Sequence, residues 1–443
     1  MIRLALAALA GTAIEFYDFF AYGTAAALVL GPLFFPTFSP LAGTLAAFGT
    51  FGVGFLARPL GSILFGHLGD RHGRRPVLLA SLLLTGLATV AVGCVPSYAT
   101  LGIGAPILLL TLRFLQGLGL GGEWGGAVLL TAEHAPAHRR GLWSSFPQIG
   151  PAVGFLLANG ITLGLSTGLS DAAFTSWGWR VPFWAAGVLA LAGLWLRHSV
   201  SETPAFLALA EAAESAERPS GAPFAEVLRV HWRRVLLTGG AMATGYAVFY
   251  AVTTWSLAYA TDHLEMARST ILACVMTAVA IQGLCTPIPA VLGDRWGRRP
   301  LCLAGCAFSA LWMFPMVALL RTGDPVAMTA GLTVALLGMG LTFGVVGAYL
   351  PELFEPRVRC TGAAVGYNLG GVTGGALTPI VATALADGDG PPWAVAGYLA
   401  GVALLSLGCF ALLPETNPRG GTPTPGPLPG PRERQDATTG ATP

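Results

Sequence analysis

The sequence contains no lysine, and charged residues make up only 10% of its 443 positions. A typical soluble domain is about 25% charged, so this composition argues against a chain that folds in water. All 24 basic residues are arginine, which we attribute to codon composition, and the net charge is only +2. The arginine clusters are short and lie in predicted loops, so no binding to nucleic acid is expected.

Cysteine is sparse as well: the seven cysteines are scattered, mostly within apolar runs. Cys302 and Cys306 share a helical face, but no second pair of Cys or His residues accompanies them. We therefore interpret them as small packing residues and predict no metal, cofactor or disulfide framework. The sequence also lacks the His-Glu-x-x-His and Gly-Lys-Ser/Thr motifs, and no enzymatic activity is predicted.

Long apolar runs are what the sequence has in abundance, since 54% of its residues are hydrophobic. Many runs reach the roughly 20 residues that cross a bilayer core as a helix, and they are too uniformly apolar for barrel strands. The sequence predicts an all-α integral membrane protein with twelve transmembrane helices. The predicted spans are residues 4–30, 41–65, 77–95, 101–130, 142–165, 181–196, 235–260, 270–292, 301–320, 326–350, 362–385 and 393–413.

One charged segment occurs twice. Residues 66–76 (GHLGDRHGRRP) return 224 positions later as residues 290–300 (AVLGDRWGRRP). Such a repeat indicates two similar halves of six helices each. We predict an N-terminal bundle at 1–199, a cytoplasmic linker at 200–232, a C-terminal bundle at 233–413, and a disordered Pro/Gly/Thr-rich tail at 414–443.

The arginine positions predict the orientation. With a cytoplasmic N-terminus, 19 of the 24 arginines fall in cytoplasmic segments and only Arg180, Arg268 and Arg321 fall outside. The positive-inside rule therefore places both termini in the cytoplasm and the protein in the cytoplasmic (inner) membrane, in contact with lipid.

Ionisable residues within the predicted spans all belong to the first half: Glu15, Asp18, Arg58, Arg113 and Glu123. A charge at the bilayer centre costs about 2.5–3.5 kcal/mol on insertion scales, so each is a candidate for function. Glu15 and Asp18 share a helix face, and two close carboxylates cannot both ionise cheaply. We predict that Asp18, Glu15 and Glu123 serve proton coupling. A structural counter-ion role for Arg58 and a packing role for Glu123 stay open.

Other polar groups are candidates for binding substrate. Arg113 is predicted to hold a substrate carboxylate, or to pair with an acid when the site is empty, and Gln116 lies one helical turn away. Tyr17, Gln148, Tyr250 and Asn368 are predicted to line the same cavity. For each of these four, the alternative is a contact between helices or an anchor at the membrane interface.

The repeated segment and several shorter blocks resemble one family of transporters. The loop Gly-x-x-x-Asp-Arg-x-Gly-Arg-Arg is similar to the signature of the major facilitator superfamily. Five further blocks resemble its metabolite:proton symporter family, which includes shikimate, α-ketoglutarate, citrate and proline/betaine carriers, and the spacing in helices 1 to 4 looks most like shikimate transporters. The blocks are Glu15-Phe16-Tyr17-Asp18-Phe19, Ala57-Arg58-Pro59-Leu60-Gly61, Arg113-Phe114-Leu115-Gln116-Gly117 with Gly121-Gly122-Glu123-Trp124-Gly125-Gly126, Trp179-Arg180-Val181-Pro182-Phe183, and Pro351-Glu352-Leu353-Phe354.

The resemblance implies gating residues. In the family, the loop aspartate bonds the cytoplasmic end of a helix in the other half, which implies this role for Asp70 and a weaker version for Asp294. Arg71 and Arg74, with their repeat partners Arg295 and Arg298, join the gate or act only as topology determinants.

A second spacing that occurs in both halves supports a gate. Glu133 precedes Arg140 by seven residues, and Glu352 precedes Arg359 by seven residues. These groups could form a charge network between the halves that breaks as they rock. The alternative is solvated loop ion pairs worth about 0–1 kcal/mol.

The resemblance implies a secondary active transporter. We expect a monomer that takes up a small organic acid, such as shikimate or a related carboxylate, with protons. The alternative is a proton-coupled drug or metabolite efflux antiporter, because Gly150-Pro151 followed by Gly154 partly resembles a motif of drug:proton antiporters. A proline kink with small-residue packing also explains that motif.

Overall fold

A computed structural model describes residues 1–72, 74–121, 128, 131–132, 134–136, 139–199, 227, 229–355, 358–387 and 392–417. Over these residues the backbone forms twelve long helices, α1–α12, one for each predicted span. The all-α prediction is confirmed. Most of the predicted linker and most of the predicted tail lie outside the described residues, so those boundaries stay predictions.

The first half contains six of the helices. They are α1 (Ile2–Ala25, continued by the π-helical turn Ala26–Leu30 and by Gly31–Phe34), α2 (Pro40–His72), α3 (Arg74–Cys94), α4 (Gly104–Leu120), α5 (Arg140–Gly168) and α6 (Val181–Ser199). Short helices Tyr98–Leu101, Asp171–Ser176 and Gly178–Arg180 lie in the connections.

The second half contains the other six. They are α7 (Trp232–Tyr250, the π-helical turn Ala251–Trp255 and Ser256–Asp262), α8 (Arg268–Cys285 and Pro287–Trp296), α9 (Arg298–Leu320), α10 (Pro325–Glu352), α11 (Arg359–Gly370, the π-helical turn Gly371–Ala376 and Leu377–Leu385) and α12 (Trp393–Leu412).

Within the described part of the chain, eight helical segments are long and apolar enough to cross a membrane by themselves. They are Leu4–Phe34, Pro40–Phe65, Arg140–Gly168, Trp232–Asp262, Arg268–Trp296, Arg298–Leu320, Pro325–Glu352 and Trp393–Leu412. Shorter apolar helices at Leu79–Cys94 and Gly104–Leu120 belong to α3 and α4. Lipid-facing leucines such as Leu87 and Leu284 remain exposed, as expected where the solvent is hydrocarbon.

The helices pack first within each half and then across the interface between the halves. In the first half α1 packs on α5, and α4 packs on α2 and α3; in the second half α7 packs on α11, and α9 packs on α10 and α12. Across the interface α5 contacts α8 and α10, while α2 contacts α11. We call the end of the bundle with the two repeated segments the loop end, and the other end the opposite end.

The last described residues are packed against the loop end. Glu415 accepts hydrogen bonds from the backbone N–H groups of Arg298 and Arg299, both at 3.0 Å, and so satisfies the first turn of α9. Tyr349 donates to the carbonyl oxygen of Pro414 at 2.6 Å, and Asn417 donates to that of Gly293 at 3.1 Å. The prediction of disorder from residue 414 is therefore wrong for residues 414–417, because a composition rich in Pro and Thr does not reveal a capping carboxylate.

Candidate functional site

The buried charges of the first half form one cluster between α1, α2, α3 and α4. Glu15 and Asp18 on α1 are 5% and 6% exposed. Arg58 on α2 and Arg113 on α4 are 1% and 0% exposed. The sequence analysis gave each of these residues as a candidate for function, with a structural role left open for Arg58, and the structure places all four in the interior.

A chain of hydrogen bonds links Asp18 to Arg113 through two neutral side chains. The Thr89 hydroxyl on α3 donates to Oδ2 of Asp18 at 2.9 Å. Gln116 donates from Nε2 to the Thr89 hydroxyl oxygen at 2.7 Å, and Arg113 donates from Nη1 to Oε1 of Gln116. Every donor in this series of hydrogen bonds therefore points toward the carboxylate of Asp18.

Aromatic rings surround the two arginines. The Cζ atoms of Arg58 and Arg113 each lie 4.0 Å from the centre of the Phe19 ring. The Arg113 Cζ also lies 4.3 Å from the Tyr22 ring centre, and the Arg58 Cζ lies 5.1 Å from that of Phe55. Cation–π attraction of this kind is strongest in desolvated sites, and it holds the guanidinium groups without using their hydrogen-bond donors.

Several of those donors are left over. In both arginines, Nε and Nη2 are buried and have no hydrogen-bond partner among the described residues. Buried donors without acceptors are costly, and guanidinium groups bind carboxylates through paired N–H donors. The arrangement is suited to an anionic ligand.

Close helix packing produces this arrangement. A Cβ atom on Gly54 would lie 2.8 Å from Nε of Arg113, so the missing side chain on α2 leaves room for the guanidinium group. A Cβ atom on Gly117 would collide with the carbonyl oxygen of Gly54. Small residues thus let α2 and α4 approach closely, as in other membrane helix pairs.

A small central cavity of about 20 Å³ lies between the halves. Aromatic side chains from both halves line it, including Phe16 and Phe20 of α1, Tyr246 and Tyr250 of α7, and Tyr367 of α11. The Tyr250 hydroxyl is buried and has no hydrogen-bond partner among the described residues. Its ring packs at 5.4 Å from the rings of Phe51 and Phe55, next to the arginine cluster.

A second cavity, of about 10 Å³, lies within the first half and is lined by Glu15, Asp18 and Thr85 together with apolar residues of α3, α4 and α6. This volume is about that of one water molecule's probe sphere. The carboxylates of α1 therefore border a polar space that is separate from the central cavity.

Three of the predicted cavity residues make contacts between helices instead. The Tyr17 hydroxyl donates to the carbonyl oxygen of Pro182 at 2.8 Å, within the first half. Gln148 donates to the carbonyl oxygen of Phe343 at 3.1 Å. Asn368 donates to the Ser62 hydroxyl and to the carbonyl oxygen of Gly121, both at 3.2 Å. Gln148 and Asn368 therefore join the two halves, and Tyr250 is the one of these four that borders the central cavity.

Charges from both halves meet at the loop end. Asp294 accepts from the backbone N–H groups of Gly141 at 2.9 Å and Leu142 at 3.3 Å, at the start of α5. Glu352 forms ion pairs with Arg140 of the first half, at 3.4 Å, and with Arg298 of its own half. Arg298 also lies 3.6 Å from Asp294. The bonds of Asp294 to α5 and the ion pair of Glu352 with Arg140 cross the interface and join the two halves at the loop end.

Two of the predicted gating residues, Arg295 and Arg359, are not among the ion pairs described at the loop end. Arg295 is exposed, and Nε of Arg359 donates to the carbonyl oxygen of Phe354 at 3.4 Å. Five residues predicted to serve gating or proton coupling cannot be placed in the site. The side chains of Asp70, Arg71 and Arg74 lie outside the described part of the structure, and so do the residues Glu123 and Glu133.

Thr89 is the residue that sequence reasoning missed. A signal was present, because Ser81, Thr85 and Thr89 recur at intervals of four and form a hydroxyl-bearing stripe along α3. All three are buried. In the sequence these hydroxyls look like ordinary groups that bond the preceding turn of an apolar helix, as Thr89 does with the carbonyl oxygen of Thr85, and only the structure shows the further bond of Thr89 to Asp18.

Residues 164–168 spell Gly-Leu-Ser-Thr-Gly, a pattern shared with hydrolases. That motif needs a sharp turn between a strand and a helix, whereas here it ends the helix α5. The Ser166 hydroxyl donates to the carbonyl oxygen of Leu163 at 3.0 Å. The pattern is therefore an ordinary helix end.

Comparison with known proteins agrees with this architecture. Residues 4–221 match the family described as "Sugar (and other) transporter", and residues 240–439 match "Major Facilitator Superfamily". The chain superposes on a structure of the xylose transporter XylE of E. coli, which was solved in a partially occluded inward-open conformation. The TM-score is 0.74 and the sequence identity is 21%, and the match covers 95% of this chain and 99% of that one. This similarity supports the fold.

Sequence relatives define the family more narrowly. The inner membrane metabolite transport protein YhjE of Escherichia coli K12 is 44% identical, with 94% of each chain covered. The shikimate transporter of the same organism is 38% identical over 94% of each chain, and its proline/betaine transporter is 33% identical over 94% of this chain and 85% of that one. The chain therefore belongs to the major facilitator superfamily, in its metabolite:proton symporter family, and is a multi-pass transporter of the inner membrane rather than an enzyme.

Proposed function

We propose that this protein takes up a small organic acid, such as shikimate or a related carboxylate, together with protons. The observation that carries the proposal is the pair of buried arginines, Arg58 and Arg113, with unused donors beside an aromatic cavity. The 38% identity to a shikimate transporter adds support for a carboxylate.

The roles of the residues follow from their chemistry. Arg113, helped by Arg58, binds the substrate carboxylate with its free N–H donors, and the aromatic walls exclude water from the apolar part of the substrate. Asp18, with Glu15 beside it, carries the proton. A membrane potential of 100 mV supplies about 2.3 kcal/mol per net charge moved inward, so each proton beyond the substrate's own charge contributes to accumulation.

Alternating access requires the two halves to rock. We propose that the loop end faces the cytoplasm, where the cluster of Arg140, Asp294, Arg298 and Glu352 closes the inner gate. Release of substrate to the cytoplasm requires these contacts to break. At the opposite end, the halves are joined by an ion pair between Arg268 and Asp171 at 3.1 Å, whose aspartate is 95% exposed.

Transport by purified protein in liposomes tests the proposal. An inward proton gradient is imposed, and the entry of labelled shikimate, α-ketoglutarate, citrate and proline is followed. We expect accumulation of one carboxylate, collapse of that accumulation with a protonophore, and its loss in Asp18→Asn. Asp171→Asn is the matched control, because its carboxylate is exposed at the opposite end.

Two outcomes would contradict the proposal: no gradient-driven entry of any compound in the panel, or release of protons when cationic drugs are added. The second would favour efflux by antiport. The motif that suggests antiport, Gly150-Pro151 with Gly154, has a packing role in the structure. A Cβ atom on Gly150 would lie 2.6 Å from Cβ of Thr12, and one on Gly154 would lie 2.5 Å from the carbonyl oxygen of Ala13. The two glycines therefore allow α5 to lie against α1.

A further inference from the structure

We infer that Thr89 is a positioning residue that couples the protonation of Asp18 to the freedom of Arg113. The inference rests on the proposed function, since it assigns a device for ordering the binding of proton and substrate. It concerns a neutral side chain on α3 that touches neither the central cavity nor, in our proposal, the substrate.

The Thr89 hydroxyl has two acceptors within reach but only one proton to donate. Oδ2 of Asp18 lies at 2.9 Å and the carbonyl oxygen of Thr85 at 2.8 Å. The same hydroxyl oxygen accepts from Nε2 of Gln116 at 2.7 Å. Thr89 can therefore change its acceptor by rotating one O–H bond, without any movement of the backbone.

The charge on Asp18 decides which acceptor is preferred. A carboxylate accepts a charge-assisted hydrogen bond, which is about twice as strong as a neutral one. With Asp18 ionised, Thr89 donates to it, and the aligned bonds from Arg113 through Gln116 to Thr89 strengthen one another. The guanidinium of Arg113 is then held toward α3 through Gln116.

Protonation of Asp18 reverses this preference. The neutral carboxyl group becomes a donor, so its proton points at the Thr89 oxygen and the Thr89 proton turns to the carbonyl oxygen of Thr85. The negative charge of Asp18, at the end of this series of hydrogen bonds, is lost. The hydrogen bond that holds Arg113 to Gln116 therefore weakens. Arg113 is then free to direct its donors at a substrate carboxylate, so the proton binds before the substrate.

The charged groups around Asp18 are compatible with this order. Glu15 lies one turn away on α1, and Arg113 on α4 is the cation at the other end of the chain; Arg58 of α2 lies across the Phe19 ring. The described side chains of α3 and α6 at the adjoining cavity, among them Thr85, Ala186 and Ala190, are neutral. That cavity shares no lining residue with the central cavity.

The test replaces the hydroxyl while keeping the shape of the side chain. Thr89→Val removes it, and Thr89→Ser restores it. Proteoliposomes report two quantities: accumulation driven by a proton gradient, and counterflow, which exchanges labelled for unlabelled substrate without net proton movement. Thr383→Val is the matched control, because Thr383 is buried and its hydroxyl has no partner among the described residues.

We expect Thr89→Val to lower gradient-driven accumulation by about 10-fold or more, the scale of one hydrogen bond to a charged group. Counterflow should stay within about 3-fold of wild type, because the arginines that bind substrate remain. The apparent affinity should also lose most of its dependence on pH. Thr89→Ser and Thr383→Val should behave as wild type in both assays.

Two results would overturn the inference: normal accumulation in Thr89→Val, or equal losses of accumulation and counterflow in both Thr89→Val and Thr89→Ser. The second would mean that the position matters only for packing, and thermal unfolding of each variant would show the same loss. Failure of the proposed function looks different, because wild-type protein would then accumulate no carboxylate under a proton gradient.

Discussion

The two halves share a fold and a repeated loop, but they differ in where they place charge. The offset of 224 residues between the loops puts Gln282 at the position of Arg58. Gln282 is also buried, yet it donates to the Thr286 hydroxyl at 3.0 Å and needs no ligand. Among the described residues, every charged side chain in the middle of the bundle belongs to the first half, and the second half supplies neutral aromatic walls. The repeat therefore preserves packing and loops, while the buried charge in the middle of the described bundle belongs to one copy.

Removing a buried arginine should have the largest effect. For Arg113→Gln we expect the ratio of maximal rate to KM for carboxylate uptake to fall by about 100-fold or more, since loss of a buried charged partner costs about 2–5 kcal/mol. Gln282→Leu should leave uptake within a few-fold. Equal effects of the two changes, measured by initial uptake rates, would remove the functional distinction between the halves.

The loop end gives the next largest effect, because the ion pairs described there depend on Asp294, Arg298 and Glu352 of the second half. Glu352→Gln breaks the ion pair with Arg140 that crosses the interface, and it leaves buried Arg298 with Asp294 as its remaining acid. We therefore expect a cost below that of a fully broken buried pair, which is about 3–5 kcal/mol. We expect the loop end to open. In a cysteine-free background, Ser144→Cys, buried on α5, should react with a maleimide about 10-fold faster, as expected when roughly 1.4 kcal/mol shifts a two-state equilibrium.

The exposed pair at the opposite end provides the control for that measurement. Asp171→Asn breaks an ion pair of a kind worth about 0–1 kcal/mol, so labelling of Ser144→Cys should not rise. An equal rise in both variants would show that the two ends contribute alike to closure.

A smaller effect is expected from the close contact of α2 and α4. Gly117→Ala forces a methyl group against the backbone of Gly54, and overpacking of this kind costs about 1–3 kcal/mol. Thermal unfolding in detergent should show a lower midpoint and weaker uptake. Gly49→Ala, also on α2, meets nothing within 4 Å and should match wild type; a matching loss there would assign the effect to helix flexibility.

The smallest effect should come from the second half's contribution to the cavity. Tyr250→Phe removes a hydroxyl that makes no hydrogen bond among the described residues, so stability should not change. If substrate uses that hydroxyl, KM should rise by about 3- to 10-fold, the worth of one neutral hydrogen bond. Tyr22→Phe is the contrast, because Tyr22 bonds Thr50 at 2.6 Å and its loss should lower the unfolding midpoint.

The sequence was sufficient for the fold and for the centre of the candidate site. Apolar length predicts twelve helices directly, and the cost of burying charge singles out Asp18 and Arg113. The partners of neutral residues could not be obtained in this way. Tyr17, Gln148 and Asn368 are polar groups in apolar helices, and only tertiary packing decides whether such a group faces a cavity or, as here, another helix. Thr89 was missed for the same reason.

The docked segment at residues 414–417 determines where other proteins can be attached to this one. A partner fused after Asn417 leaves both bonds of Glu415 to α9 intact, whereas fusion at Leu413 removes them. A fluorescent protein placed after Asn417 would move with the second half. Paired with a dye on the opposite-end loop of the first half, near Asp171, it would report each opening and closing of the transporter as a change in energy transfer.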